Sequence, residues 1–290
     1  MLVELASIVA PVYLIASLGY GWGRWSRHYD QKFVTDIVMN VGAPALVFAR
    51  LSSLEMDPDA LVAMTVATVA SLVCFFAVGS IVLRLAGLSL PTYLGPVVFG
   101  NSGNMGLPLC YFAFGDAGLA FGVCFFATTA IAHYTAGQWV WSGQPSMREV
   151  NTPLSWAVVA AVAVLTLEIP VPIWIDRTTS VLGGLTIPLM QLSLGVSLAR
   201  LKVTDVPRTL ALSVLRLGMG FGVGVALAAA FGLEGAARGV LILDCSMPAA
   251  VFNFMMAEKY GRSPSEIASV VVLSTLLAFG TLPLVLAWLI

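Results

Sequence analysis

Apolar stretches of roughly twenty residues follow one another along this whole chain, and polar residues are confined to the short links between them. A helix rises about 1.5 Å per residue, so roughly 20 apolar residues cross the ~30 Å of hydrocarbon in a bilayer. Ten such stretches are read here, at about 3–23, 33–54, 61–86, 92–114, 117–141, 154–172, 177–199, 207–232, 236–257 and 265–289. Hydrophobic residues make up 59% of the 290 and charged residues only 10%. Soluble domains carry about 25% charge, so the expected class is an all-α integral membrane protein of ten transmembrane helices. A net charge of -1 offers no basic field for nucleic acid. Cys74, Cys110, Cys124 and Cys245 lie in apolar runs without a CxxC pair and read as small buried hydrophobes, not as metal ligands or disulfides. The first stretch carries Glu4 where a signal peptide carries positive residues, and Arg24 and Arg27 follow it, so it reads as a retained span.

Orientation follows from the lysines and arginines, which short cytoplasmic loops retain. With both termini outside, ten of the fourteen fall in cytoplasmic links, from Arg24, Arg27 and Lys32 to Lys259 and Arg262. Arg50, Arg177 and Arg238 then lie outside with the acidic link Glu55–Asp57–Asp59. The expected location is a multi-pass protein of the inner (cell) membrane.

The longest link, Ser142–Pro153, divides the chain into five stretches at 1–141 and five at 154–290. Val41–Leu54 lies over Leu185–Leu198 with Pro44 on Pro188 and Ser53 on Ser197, and Asn104–Pro108 over Asp244–Pro248. The offsets, 144 and 140 residues, nearly agree. Five is odd, so the second half starts on the opposite side of the membrane and the repeat is inverted. Such repeats with interrupted helices point to secondary transport with a site near the midplane.

The fourth stretch contains Gly100-Asn101-Ser102-Gly103-Asn104-Met105-Gly106-Leu107-Pro108, and Pro108 is expected to break its hydrogen-bond ladder. The ninth repeats the device with Asp244-Cys245-Ser246-Met247-Pro248, where Ser246 is read as a cap for the second half-helix and Pro248 as part of its first turn. Two helices broken and crossing there aim two positive half-helix N-termini at one point. Asparagine amides hydrogen-bond a carboxylate at such a point without the cost of a buried cation. The alternative is a small-residue packing face glued by asparagines.

GNSGNMGLPL, GAPALVFARLSSL and SMPAAVFNFMMAEKY together resemble the auxin efflux carrier family, whose bacterial members are similar in length. The resemblance implies ten helices as two inverted five-helix repeats with the fourth and ninth crossing. It implies a scaffold of helices 1, 2, 6 and 7 and a transport domain of helices 3–5 and 8–10. It places Asn101, Asn104, Pro108, Ser246 and Pro248 at the crossover as substrate-binding residues. The related bile acid–sodium symporters carry an acidic sodium ligand in the same part of the ninth helix, a role carried over to Asp244. A homodimer through the scaffold is compatible with the resemblance. The short middle link lacks the long insertion of large plant members, which favours a bacterial carboxylate carrier over a hormone exporter.

Ionisable groups at bilayer depth need a reason. Asp244 is placed to hold a proton or sodium as coupling ion. Arg216 is open to three readings: snorkelling, pairing with Asp244, or contact with the substrate. His133 stands one turn after Thr129, with Thr128 adjacent, so hydroxyls and an imidazole are neighbours. Asp36 and Asn40 read as structural. No Walker loop, metal-ligand cluster or nucleophile with a base is legible, so no enzyme, metal or cofactor is expected. The function expected is a secondary transporter of a small organic anion working by alternating access. A membrane channel or ligand sensor with the same broken helices is the rival. In an otherwise cysteine-free background, Asp57→Cys should react with an impermeant maleimide from outside and Met147→Cys only from inside. Reversed labelling would overturn the orientation.

Overall fold

The computed structural model describes residues 2–25, 28–52, 58–144, 151–167 and 169–290. Ser53, Arg27, Glu55 and Asp57 lie outside the described residues, as do 145–150 of the middle link. Among the described residues the chain is helical, without a named strand. The elements are α1 (Leu2–Arg24), α2 (Gln31–Ile37), α3 (Ala43–Ser52), α4 (Pro58–Leu85), α5 (Leu90–Val98), α6 (Leu107–Ala132) and α7 (Gln138–Ser142). There follow α8 (Pro153–Thr166), α9 (Ile173–Gly184), α10 (Thr186–Arg200), α11 (Val206–Ala230), α12 (Gly235–Cys245), α13 (Phe252–Tyr260) and α14 (Pro264–Leu289). Single π-helical turns, Val38–Gly42, Ser102–Gly106 and His133–Gly137, join α2 to α3, precede α6, and join α6 to α7.

Local chemistry explains many of the ends. Asp30 accepts from Phe33 N at 2.9 Å to open α2, and Thr152 accepts from Ser155 N at 3.2 Å to open α8. Prolines 153, 207 and 264 occupy first turns, where their missing N–H costs nothing. Pro44 and Pro188, the pair that suggested a repeat, each fall in the first turn after an interruption, the π turn before α3 and the α9–α10 junction.

Among the described residues seven helical runs are individually long and apolar enough to cross a membrane: 5–24, 31–52, 59–85, 102–142, 173–200, 206–230 and 264–289. Fewer than ten qualify because α5, α12 and α13 are each 11 residues or shorter and α8 has 14. The 102–142 run is itself two segments, because Gly115 adopts φ 65° and ψ −152°, a conformation only glycine takes readily. Gly122 consequently packs against Cys110, whereas a straight helix would hold these residues about 18 Å apart.

Packing sorts the helices into two groups. In one, α1 lies against α10, and α3 against α8 and α9; in the other, α4, α5, α6, α11, α12 and α14 pack on one another. The groups meet where α3 and α1 touch α6 and where the Ser102–Gly106 turn touches α10. Leu14, Leu18, Val66, Val69 and Val73 point outward, as lipid-facing residues do. Buried Thr68 returns its hydroxyl to Met64 O at 2.7 Å, which satisfies it inside its own helix. Exposed Trp22, Trp25, Trp139, Trp156, Trp174 and Trp288 lie at helix ends, where amphipathic rings suit a membrane interface.

The α1–α10 contact depends on the missing side chain of Gly195, since a Cβ there would collide with Ala16 O and Tyr20 N. Gly195→Ala should lower the thermal midpoint of the purified protein by on the order of 5 °C, the consequence of overpacking by about 1–3 kcal/mol. Gly218→Ala, where a Cβ meets nothing within 4 Å, should not lower it.

Candidate functional site

Two helices stop in the interior and their loose ends meet. The chain leaves α5 at Phe99, extended at φ −92° and ψ 106°, and leaves α12 at Ser246, resuming helix only at Phe252. Gly100 and Ala249 form an antiparallel bridge. Asn101 N donates to Pro248 O at 2.7 Å and Ala250 N to Phe99 O at 3.0 Å. Asn253 Nδ2 donates to Phe99 O and Ala250 O, both at 3.0 Å, and Ala249 N to Ser274 Oγ at 3.1 Å. Backbone groups freed from the helical ladder are thus paired across the two breaks, as they must be away from water.

The carbonyls that end α5 and α12 are gathered by one side chain. Arg216, 1% exposed, donates from Nε to Met247 O at 3.0 Å and from Nη1 to Val97 O at 3.1 Å and Val98 O at 2.9 Å. Its Nη2 donates to Cys245 O at 3.1 Å, and its guanidinium lies 4.8 Å over the Phe75 ring. A helix C-terminus carries about half a negative charge, so one guanidinium answers two of them.

On the other side of the breaks lies a cavity of about 100 Å³. Asn101, Ser102, Gly103 and Asn104 form its wall, with Asn101 capping the following turn by accepting from Asn104 N at 3.3 Å. That turn continues into α6, and its first N–H groups, at Ser102 and Gly103, have no helical acceptor by position. Phe99, Phe126, Tyr134 and Phe252 give the cavity aromatic walls, and Thr35, Met190 and Ser193 face it from α2 and α10. The His133 ring stacks on Phe99 with centroids 4.0 Å apart and meets Phe252 edge-on at 4.9 Å. Asn101 Nδ2 and His133 Nε2 are buried without a hydrogen-bond partner.

Of the residues expected from sequence, Asn101, Asn104, Thr129 and His133 come together here. Thr128 does not line the cavity and returns its hydroxyl to Cys124 O at 2.8 Å. Pro108 does not break the helix. It sits in the first turn of α6, and the break comes at 99–101, because proline is compatible with a helix start. Ser246 caps nothing downstream, since its hydroxyl donates to Ile242 O at 2.7 Å, and Pro248 lies within the break, four residues before α13. Its carbonyl, not its ring, does the positioning, through Asn101 N. Arg216 follows none of its three readings: it is buried, it faces carbonyl oxygens, and it does not line the cavity. Asp244, also 1% exposed, stands apart on the far side of the Ser102–Gly106 turn, against Gly106, with Cys110 Sγ 3.6 Å from Oδ2. Sequence reasoning missed Phe99, Phe252 and Asn253. Only the polar Asn253 within an apolar run was a signal.

A second cavity, of about 240 Å³, lies between Leu46 and Arg50 of α3, Ser180 and Gly183 of α9, and Tyr111, Phe112 and Leu119 of α6. Arg50 and Asp116 form an ion pair at 3.1 Å between α3 and α6.

Comparison with known proteins bears on these features. An uncharacterized transporter of Methanocaldococcus jannaschii is 22% identical over 261 residues, covering 84% of this chain and 85% of its own. An uncharacterized transporter of Methanothermobacter thermautotrophicus is 25% identical over 273 residues, covering 88% of each. The model of the membrane transport protein family matches residues 5–144 and 138–286, one match for each half. The chain therefore belongs to the membrane transport protein family, the auxin-efflux-carrier-like group that its interrupted segments resemble.

Proposed function

We propose that this protein is a secondary transporter that moves a small organic carboxylate by alternating access. One observation carries the reading. Two interrupted helices meet at a cavity that holds the unpartnered Asn101 amide and the N-terminal turn of a half-helix. Such a turn favours an anion through its exposed N–H groups and its dipole. Counting each interrupted helix as one crossing, and α6 as two segments at Gly115, gives ten crossings in two inverted sets of five. The group built on α1, α3, α8, α9 and α10 serves as scaffold, and the rest moves against it. This reading rests on the division in packing, on the paired positions of Pro44 and Pro188, and on the separate family match of each half.

The cargo site is the cavity, with Asn101 and Asn104 as its amides. In related architectures a coupling cation rests against half-helix C-terminal carbonyls. Here Arg216 occupies such carbonyls as a tethered cation, which leaves sodium no vacancy there. Transport is accordingly without obligatory sodium.

Two outcomes are expected in proteoliposomes loaded with a carboxylate first identified by thermal-shift screening of mono- and dicarboxylates. Asn104→Ala should weaken binding by tenfold or more, about 1.4 kcal/mol, and abolish counterflow while leaving the ligand-free thermal midpoint unchanged. Unaltered affinity would remove the cavity as the cargo site, and an absence of counterflow in the wild type would leave a channel. An imposed sodium gradient should not change the initial rate. Strict sodium dependence would refute the tethered-cation reading.

A further inference from the structure

The cavity has an electrostatic peculiarity. Among the described residues no Lys, Arg, Asp or Glu lines it, yet the cargo proposed for it is an anion. A carboxylate taken out of water is costly unless a positive charge comes with it, and amide and backbone dipoles compensate only part of that cost. Arg216 does not supply the charge, because it does not line the cavity, the Gly100 backbone lies against its Nη2, and four of its five N–H donors are committed to carbonyls.

One lining side chain can take up a full positive charge when an anion enters beside it. His133 is 7% exposed, its Nε2 has no partner, and its ring is held between Phe99 of the first break and Phe252 just after the second. The unpartnered Asn101 amide lines the same cavity. The other ionisable groups on the surrounding elements are Tyr134 beside it and Tyr93 on α5, which is bonded to Glu266 and Arg208. Cys110, Tyr111, Asp116 and Cys124 lie on α6, Lys32 and Asp36 on α2, Arg200 on α10, and Tyr260 with exposed Glu258 and Lys259 on α13. Of these only Tyr134 lines the cavity, and Asp244 stands behind Gly106.

Resting on the carboxylate reading above, we infer that His133 is the proton-binding residue of the cargo site and that the anion enters together with one proton. The ring nitrogen accepts a proton from water at the open face, and the imidazolium and the Asn101 amide then hold the carboxylate between them. The loaded cavity is neutral as a whole. On release the carboxylate and the proton leave to the same side, so the cycle is a proton–anion symport.

Benzoate serves as the probe, with a flat apolar body suited to the aromatic walls, and benzamide as its uncharged counterpart. Thermal stabilisation of the purified protein is titrated at about pH 5.5, 6.5 and 7.5, where benzoate stays ionised. Benzoate affinity should weaken by about tenfold per pH unit as pH rises, the signature of one linked proton, while benzamide affinity stays flat. His133→Phe, which keeps a ring between Phe99 and Phe252, should lose the benzoate slope, and Asp244→Asn should keep it. A flat benzoate response, a slope that survives His133→Phe, or a slope lost in Asp244→Asn overturns the inference while leaving the carboxylate site standing. If neither benzoate nor benzamide stabilises the protein at any pH, the cargo-site reading falls, and the inference with it. Should His133→Phe fail to fold, the wild-type comparison of the two ligands and the Asp244→Asn slope decide the matter.

Discussion

Everything in the middle of this molecule depends on how four carbonyl oxygens are satisfied away from water. Breaking a helix inside a membrane frees backbone groups that cost several kcal/mol each if left unpaired. Val97, Val98, Cys245 and Met247 all direct those oxygens at Arg216. Burying a guanidinium is itself expensive, of order 20 kcal/mol in the idealised transfer to low dielectric, so it persists only where charge and geometry both answer it. Two half-helix C-termini provide opposing partial charge, and the rigid planar fork matches oxygens arriving from two segments far apart in sequence. Lysine, with a single compact head, could not span them. The arginine thus ties the two breaks into one unit, and the bridge from Gly100 to Ala249 aligns them.

That arrangement distributes charge around the breaks. The positive group lies behind Gly100, and the acidic Asp244 lies behind Gly106. The cavity between receives neither and is left with amides, hydroxyls, one imidazole and aromatic rings. On the proposed reading such a site takes a partly apolar molecule with one full charge and disfavours a second, because its amides, free N–H groups and single imidazole answer only one. On the proposed reading, selectivity thus turns on Asn101, Asn104 and His133 and not on a cluster of basic side chains.

Much of this was legible in the residues, for reasons that differ from place to place. The helix stretches were legible because length and hydropathy are one-dimensional properties, and the observed ends fall within a few residues of them, apart from the sixth stretch, read to 172 where α8 ends at Thr166. The interruptions were legible because glycine, asparagine and proline are costly in mid-membrane. Their exact positions were not: Pro108 marks the beginning of a helix as readily as the end of one, and only the pairing of Phe99 with Ala250 and of Asn101 with Pro248 fixes the break. The partners of Arg216 were hidden for the same reason. A sequence displays charged side chains as candidates for one another and does not display carbonyls that have lost their helical donors, so Asp244 was the natural partner to expect and the wrong one.

The two cavities lie at opposite ends of the seam between the helix groups. One reaches Thr35 and Ser193, and the other is flanked by Arg50 and Asp116. Across the seam the polar ties among the described residues include an ion pair, with Arg50 41% and Asp116 77% exposed, and a hydrogen bond from Tyr13 Oη to Phe279 O at 2.9 Å. Exposed pairs of this kind contribute about 0–1 kcal/mol. A two-state carrier needs its conformers within a few kcal/mol of each other so that cargo binding can shift the balance. A seam held by an exposed ion pair and a hydrogen bond of about 1 kcal/mol suits that requirement better than the four-carbonyl clasp of Arg216. Motion on the proposed reading therefore separates α3 from α6 and Tyr13 of α1 from Phe279 of α14, and carries the two breaks together as one body.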